Sequence, residues 1–245
     1  MSKIFFDPSN RNGNTVTLPD NTAHHMINVL RMRIGQTITL CDGQRNDYQA
    51  RIESATTKPS AITFTLLSKT PSNSESIMPI TLYQGLPKSD KMDWIIEKCV
   101  EIGVHSIIPV CTTRSIPKIK DFSKKAARFS RIAESAASQS MRGILPTIEP
   151  MQSFGQALAE YSTNDLCLVA YENEKSHTIK STLKGIPPKP ISIWIGPEGG
   201  FDDNEIMALA DKGALPVSLG PRVLRTETAG LVALSQILCI WDEFN

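Results

Sequence analysis

The spacing of hydrophobic positions changes once along the chain, between residues 70 and 78. Before that point, short runs of β-forming residues alternate with turn residues such as Asp42-Gly43, which is typical of strands joined by tight turns. One helical stretch, Asn21–Met32, interrupts them. The pattern predicts a small closed or nearly closed β-barrel. Its predicted strands are Ile4–Phe6, Val16–Leu18, Thr37–Cys41, Tyr48–Ile52 and Ile62–Leu67.

A polar segment rich in serine, Thr70–Ser76, separates this region from a second one. Because such a segment cannot bury apolar surface, we expect a domain boundary there, with domains at residues 1–72 and 73–245. Beyond it, strand-like runs alternate with longer helical runs, which predicts βα units on a mostly parallel sheet. The predicted strands are Ile80–Gln84, Ser106–Val110, Leu166–Tyr171, Ile191–Ile195 and Pro216–Leu219.

Two helices of the second region have contrasting patterns. Apolar residues recur at helical spacing over residues 92–100, with Ser89 or Asp90 as the cap and Gly103 after the last turn. The last helix, predicted over Thr226–Trp241, is apolar on nearly every face after its first turn. We therefore expect it to be covered on all sides, either by its own chain or by a second subunit.

The total charge is small, but its distribution is uneven. The 245 residues carry a formal net charge of +1, which neither favours nor excludes a nucleic-acid partner. Residues 114–142 contain eight Lys and Arg against two Asp and Glu, whereas residues 197–245 contain three against eight. A basic segment therefore precedes an acidic C-terminal region.

Cysteine spacing and hydropathy indicate the cellular compartment. The five cysteines include no CxxC pair, which argues against a disulfide framework or a zinc site and favours a reducing compartment. No segment offers the roughly 18 uninterrupted apolar residues of a membrane span. We expect a soluble, cytoplasmic protein without a metal.

Two loops that contain glycine follow strands near the end of the chain. The predicted strand Ile191–Ile195 runs into Gly196–Gly200, and a capped helix start follows. Glycines at the carboxyl edge of a parallel strand let the backbone approach a ligand closely. A tight turn that needs glycine only for its dihedral angles is the alternative. A P-loop and the usual dinucleotide fingerprint are excluded, because neither the Gly-Lys-Ser/Thr ending nor GxGxxG is present.

The second loop leads from Gly220 into the last helix, for which Thr226 is the expected cap. Two such loops on adjacent strand ends would form one cleft, with Arg225 and Glu227 at its mouth. A solvated ion pair near a helix start is the simpler explanation of these two side chains.

Three motifs carry a resemblance to a known family. GPEGGF at 196–201, LGPRVLRTETA at 219–229 and HxxxVLRM at 25–32 resemble the RsmE family of 16S ribosomal RNA uridine-N3 methyltransferases, and the resemblance extends over essentially the whole chain. It implies a PUA-like β-barrel followed by a SPOUT-type α/β domain whose C-terminal loops form a trefoil knot. It also implies S-adenosylmethionine as cofactor, and a homodimer with the active site near the subunit interface. Periodicity carries no trace of such a knot.

The resemblance places the cofactor among three loops of the knot. The residues expected to bind it are Ala170, Tyr171, Glu172, Ile195, Gly196, Pro197, Gly199, Gly200, Leu219, Gly220, Val223, Leu224 and Thr226.

The implied reaction needs a base and a cation. Uracil N3 is a poor nucleophile while protonated, and the charge left on O2 and O4 by its deprotonation must be stabilised. We expect Arg225 to be the cation and Glu227 or Glu198 to be the base. Either carboxylate could instead hold Arg225 or accept hydrogen bonds from the adenosine.

The target base must leave its stack to enter the cleft, and the RNA around it needs a basic surface. Lys3 stands where family members commonly carry Arg, which favours a contact to phosphate over a shaped contact to a base. For any one cation, a solvated helix surface is the alternative. The residues expected to bind RNA are Lys3, His25, Arg31, Arg33, Lys88, Lys91, Arg114, Lys124, Arg128 and Arg142.

Two other functions stay open at this point. A SPOUT-type enzyme that methylates a ribose of transfer RNA would be expected to differ in the VLRTETA segment. A non-catalytic RNA-binding factor of ribosome assembly would need the barrel and the basic segment but no intact cofactor loops.

Overall fold

The computed structural model describes residues 3–116, 123–161 and 165–241, and the chain divides into two compact units. Unit 1 contains Met1–Glu75 and Ala137–Leu145, and unit 2 contains Ser76–Ala136 and Pro146–Asn245. The first unit is therefore built from two separate stretches of sequence. The hydrophobic pattern gave no sign that residues 137–145 return to it.

Unit 1 is built on a six-stranded mixed sheet. Its strands pair in the order β1-β4-β5-β6-β3-β2, with β1 parallel to β4 and the other pairs antiparallel. Alternate residues point inward, so that Val16 and Leu18 of β3 pack with Leu40, Ile52 and Phe64 in one core. Among the described residues β1 and β2 are the unpaired edges of this sheet, so the structure shows a half-barrel where the sequence predicts a closed or nearly closed one. The strands are β1 (Ile4–Phe5), β2 (Arg11–Asn12), β3 (Thr15–Pro19), β4 (Thr37–Cys41), β5 (Asn46–Thr57) and β6 (Ser60–Pro71).

The helical stretch predicted in unit 1 is divided. Helix α1 spans Asp20–His24, and a π-helical turn continues over His25–Val29. Arg31 then has a φ of +53°, so the backbone leaves the helical region before Met32.

Residues 137–145 join unit 1 through its backbone and through one buried ion pair. Arg45 N donates to Gly143 O at 2.9 Å, and Gln44 forms an antiparallel bridge with Ile144. The Glu75 carboxylate accepts from Gly143 N at 2.6 Å and from Arg142 Nη2 at 2.7 Å. These bonds satisfy backbone groups of the returning segment that would otherwise need water.

Unit 2 has a seven-stranded sheet in which every described pairing is parallel. The order is β10-β8-β7-β12-β11-β13, with β9 also paired to β8. This confirms the predicted parallel sheet, although the last strand begins and ends earlier than the predicted Pro216–Leu219. The strands are β7 (Ile80–Gly85), β8 (Ser106–Cys111), β9 (Thr147–Ile148), β10 (Gln152–Ser153), β11 (Leu166–Ala170), β12 (Ile191–Ile195) and β13 (Leu215–Val217).

Helices connect these strands, and the predicted helix over residues 92–100 is confirmed. It begins after Asp90 and ends at Gly103, whose φ is +122°. None of the described helices has the length and apolar character needed to cross a membrane. The helices are α2 (Lys91–Ile102), α3 (Ser123–Gln139), α4 (Phe154–Glu160), α5 (Ile179–Leu183), α6 (Asp203–Asp211) and α7 (Thr226–Ile240).

Helix α7 is covered on one side within the described chain. It packs against α2, α5 and strands β7 and β12, which buries Ala233, Leu234 and Ile237. Val232 is only partly covered, and Cys239 is exposed. The described part of the chain therefore covers one face of the helix and leaves the other face only partly covered. Cover of that second face by another subunit stays a prediction. The threading of the C-terminal loops into a knot stays a prediction.

Candidate cofactor and active site

A cavity of about 630 Å³ lies in unit 2, walled by the segments that follow three neighbouring strands, β11, β12 and β13. Its volume falls within the range of small-molecule sites, and carboxyl ends of parallel strands are the usual place for them. The walls combine apolar side chains such as Ile195 and Leu224 with acidic ones such as Glu172 and Glu174.

All residues expected to bind the cofactor line this cavity except Gly199. Gly199 instead offers its carbonyl to Arg114 Nη1 at 3.0 Å. Seven further residues line the cavity that were not among those expected. Glu174, Lys175 and Thr178 follow β11, where the chain carries no recognisable motif. Ser218, Pro221, Arg222 and Ala229 lie within or next to the LGPRVLRTETA segment.

Two glycines allow the loop after β12 to adopt its position. A Cβ on Gly85, at the end of β7, would lie 2.6 Å from Pro197, so this loop packs directly on the neighbouring strand end. Gly200 has a φ of +66°, which other residues rarely adopt. Gly85 therefore requires glycine because chain atoms occupy the space of a side chain, and Gly200 because of its backbone conformation.

Thr226 does not cap α7, which corrects the expectation from sequence. Arg225 is the N-cap residue, without a capping side-chain bond, and Thr226 is the first residue of the helix. The Thr226 hydroxyl donates to Gly196 O at 2.6 Å and accepts from Gln84 Nε2 at 2.9 Å. The two glycine-containing loops are therefore joined by a hydrogen bond at the wall of one cavity.

Glu198 and Glu227 share one cation, Lys91. Its Nζ lies 3.0 Å from Glu198 Oε1 and 3.3 Å from Glu227 Oε2. Glu198 also accepts from Lys88 N at 3.1 Å. The contact to Glu227 is electrostatic, because Glu227 Oε2 is buried and makes no well-formed hydrogen bond. We call Lys91, Glu198 and Glu227 the site ion cluster.

The pKa shifts of Lys91 and Glu198 favour their charged forms. Burial raises the pKa of Glu198, but hydrogen bonds from the backbone and from Lys91 outweigh it and lower the pKa overall. The pKa of Lys91 is raised, first by its hydrogen bond to Glu198. Near neutral pH, Lys91 and Glu198 are both ionised.

Arg225 is exposed and stands apart from the two carboxylates. Among the described residues, no ion pair joins Arg225 to Glu227 or to Glu198. The two alternatives offered by the sequence, a carboxylate that holds Arg225 and a solvated Arg225–Glu227 pair, are not seen among the described residues, where Lys91 contacts both carboxylates.

Two of the cations expected to bind RNA are buried, which corrects those expectations. Lys3 is 3% exposed, with its Nζ 2.8 Å from Asp47 Oδ2 and 2.9 Å from Ser72 Oγ. Arg142 is 2% exposed and pairs with Glu75 through two of its nitrogens. Neither side chain can reach a phosphate without leaving its carboxylate unpaired.

The remaining cations lie on the surface of one unit or the other. In unit 1, His25, Arg31 and Arg33 are exposed. In unit 2, Lys88 is exposed, and Lys91 is half-buried in the site ion cluster. Arg114 and Arg128 are exposed but contact Asp202 and Asp93, respectively. Lys124, with Lys118 and Lys120 of the same basic segment, lies outside the residues whose side chains the structure describes.

Glu205 is a residue that sequence reasoning missed. It is 5% exposed, and its Oε1 accepts from Thr113 N at 2.8 Å and from Thr113 Oγ1 at 3.0 Å. Its Oε2 accepts from Asp202 N at 2.9 Å, which completes a capping box at the start of α6. The Asp-x-x-Glu spacing could have revealed the cap. It could not have revealed that Glu205 also ties the loop after β8 to the end of the Gly196–Gly200 loop.

Among the described residues, no group of three or more His, Cys, Asp or Glu side chains could hold a metal ion.

Comparison with known proteins gives matches to both units. A family model described as an RNA methyltransferase domain matches residues 74–238, and one described as an RNA methyltransferase PUA domain matches residues 18–64. The open sheet of unit 1 is therefore PUA-like, as expected.

Similar whole proteins share one description, ribosomal RNA small subunit methyltransferase E. The protein from Bacillus subtilis is 36% identical over 230 residues, covering 91% of this chain and 89% of the relative. The one from Buchnera aphidicola is 34% identical, covering 93% and 89%. A crystal structure of the Neisseria gonorrhoeae protein bound to S-adenosyl methionine is 33% identical, covers 98% of each chain and superimposes with a TM-score of 0.87. The chain therefore belongs to the ribosomal RNA small subunit methyltransferase E family.

Proposed function

We propose that this protein transfers the methyl group of S-adenosylmethionine to N3 of a uridine in small-subunit ribosomal RNA. The observation that carries the proposal is the joining of two glycine-containing loops around one cavity. Glu198 of the first loop and Glu227, the residue after Thr226, both contact Lys91 in the site ion cluster. Family membership favours this function over a transfer-RNA ribose methyltransferase and over a non-catalytic assembly factor.

The residues of the cavity fit this cofactor. Apolar side chains of Ile195, Leu219 and Leu224 suit a flat adenine ring, and the carboxylates of Glu172 and Glu174 suit ribose hydroxyls and positive charge. When bound, S-adenosylmethionine supplies an electrophilic methyl group, so the protein has to orient the nucleophile and exclude water.

Glu227 is the proposed base that takes the N3 proton. Glu198 is already committed to Lys88 N and Lys91. Among the described residues, the buried Glu227 Oε2 contacts Lys91 and accepts no well-formed hydrogen bond. We assign Glu198 to anchoring Lys91. Exposed Arg225, one residue before α7, is the proposed cation for the charge that develops on O2 and O4 of the uracil.

RNA contact is proposed for the exposed cations of each unit. Lys88, Arg114 and Arg128 are the candidates of unit 2. In unit 1, Arg31 and Arg33 lie in a segment whose apolar side chains Val29, Leu30 and Ile34 are also exposed. Cations that meet phosphates and apolar groups that meet unstacked bases are the usual combination for single-stranded RNA.

A homodimer is proposed as the working form, and the cytoplasm, where ribosomes assemble, as its location. The partly covered face of α7 supports the dimer, because Leu231, Val232 and Ile240 lie there beside exposed Cys239. Sedimentation equilibrium at micromolar concentration is expected to give twice the mass of one chain. Val232→Glu is expected to give the monomer, and a wild-type monomer would contradict the proposal.

The function is tested by nucleoside analysis and by one pair of variants. Small-subunit RNA from a deletion strain should lack 3-methyluridine that is present in the parent and restored by the wild-type gene. Glu227→Gln removes the proposed base but keeps its shape, so kcat should fall about 10²- to 10⁴-fold while cofactor affinity stays near that of the wild type. Glu198→Gln should lose less. Unchanged 3-methyluridine in the deletion strain, or full activity of Glu227→Gln, would contradict the proposal.

A further inference from the structure

Gln84 is a buried polar side chain for which the site described so far gives no role. It is the last residue but one of β7 and is 0% exposed. Its Nε2 donates to Gly85 O at 3.0 Å and to Thr226 Oγ1 at 2.9 Å. Its Oε1 is buried without a hydrogen-bond partner among the described residues. An apolar side chain of the same size would avoid the unsatisfied acceptor, so the amide is retained at a cost to stability.

The hydrogen bonds fix the orientation of this network. Both Nε2 hydrogens of Gln84 have acceptors, and a flipped amide would set Oε1 against the carbonyl oxygen of Gly85. Thr226 Oγ1 therefore accepts from Gln84, and its single hydrogen points to Gly196 O at 2.6 Å. The chain of donors runs in one direction, from β7 through the start of α7 to the end of β12.

We infer that Gln84 is a positioning residue, which acts through Thr226 to fix both the Gly196–Gly200 loop and the first turn of α7. This inference rests on the proposed function, because that loop walls the cofactor cavity and that turn follows Arg225 and contains Glu227. A buried amide that breaks the apolar pattern of a strand is the kind of local inconsistency found at functional sites.

The geometry explains why an amide serves here. An amide can donate two hydrogen bonds at once, here to a carbonyl at the end of its own strand and to a hydroxyl. Both loops are thereby held in fixed positions relative to the sheet. A hydroxyl at position 226 that received no hydrogen bond could rotate and release Gly196 O. Gln84 thereby couples the order of the cofactor loop to the placement of the proposed base.

The test compares isosteric variants in the full-length protein. Thr226→Val removes the hydroxyl and keeps the shape, and Thr226→Ser keeps the hydroxyl. Gln84→Leu removes both donors, and Gln84→Glu keeps the shape but only accepts. Binding of S-adenosylhomocysteine, measured by calorimetry, should weaken about tenfold in Thr226→Val, Gln84→Leu and Gln84→Glu, and less in Thr226→Ser than in Thr226→Val. The kcat of the three weakened variants should fall as well.

The double variant separates positioning from general stability. If Gln84 acts through Thr226, the combination of Gln84→Leu with Thr226→Val should bind no more weakly than either single variant. Additive losses, or affinity and kcat like those of the wild type in Gln84→Leu, would overturn the inference. Should Gln84→Leu fail to fold in thermal unfolding, the Thr226→Val and Gln84→Glu results decide, and wild-type binding in both overturns it. Failure of the wild type to bind S-adenosylhomocysteine would count against the proposed function instead.

Discussion

Each unit contains a long cation paired with carboxylate, Arg142 with one in unit 1 and Lys91 with two in unit 2, and the two clusters differ mainly in burial. In unit 1, Glu75 and Arg142 have side chains only 3% exposed, and the carboxylate also accepts from two backbone N–H groups. In the site ion cluster of unit 2, the side chains of Lys91, Glu198 and Glu227 are 33%, 28% and 19% exposed. The same chemistry therefore serves the fold in one unit and stays accessible to a ligand in the other.

The physical reason lies in desolvation. Charges taken fully out of water must be paired and hydrogen-bonded. Arg142 is therefore buried against Glu75 and is not accessible to RNA. Half-exposed charges keep part of their hydration and attract one another only weakly. Such groups can exchange partners when substrate arrives. Some basic residues of a sequence are thus buried in structural ion pairs, and others are accessible to a ligand. The number of basic residues does not show how many belong to each kind.

Removal of Glu75 should give the largest effect. Glu75→Ala leaves Arg142 buried without its counter-charge, and a loss of about 3–5 kcal/mol in the free energy of unfolding is expected. Urea titration followed by circular dichroism measures the loss. Glu53→Ala breaks the exposed pair with Arg51 and should change stability by less than about 1 kcal/mol. Equal losses in the two variants would show that burial does not decide how much an ion pair of unit 1 stabilises the fold.

Removal of the site cation should affect activity more than stability. Lys91→Met leaves Glu198 and Glu227 without their shared cation, and methyl transfer is expected to fall about tenfold, equivalent to ~1.4 kcal/mol in the barrier. Lys98→Met is the matched control, because Lys98 lies on the same helix and its ion pairs within the described chain are those with Glu97 and Glu101, outside the site ion cluster. If the two variants lose the same activity, Lys91 has no special role.

The smallest effect should appear as a pH dependence of stability. The folded-state pKa of Glu198 is lowered from 4.5, so its contribution is complete above that value and is lost as the pH falls through the folded pKa. Glu198→Gln should therefore be less stable than the wild type at pH 7, by at most about 1 kcal/mol because the side chain is partly exposed. The difference should vanish in strong acid. A difference that grows on acidification would contradict the assigned direction.

Local patterns predicted much of this fold. Strand and helix positions followed from periodicity, as for β12 and α2, because each element has to present an apolar face to a core. The cavity residues after β12 and β13 followed from the glycine loops and the family resemblance together. The resemblance, and not the periodicity, supplied the cofactor.

Long-range polar contacts were beyond the reach of sequence. Arg142 lies 67 residues from Glu75, and Thr226 lies 142 residues from Gln84. A hydrogen bond between distant residues leaves no periodic signal, since it needs one suitable group at each end. For this reason Lys3 and Arg142 were mistaken for RNA contacts, Thr226 for a helix cap, and Gln84 and Glu205 were overlooked.

The return of residues 137–145 to unit 1 sets an order of assembly during synthesis. When Glu75 leaves the ribosome, Arg142 has not yet been translated. The Glu75 carboxylate therefore stays hydrated until Arg142 is available to pair with it. The amino-terminal unit can be completed only after most of the basic segment has emerged. A fragment that stops at residue 75 would lack this closing piece, so an excised RNA-binding module has to carry both stretches of sequence.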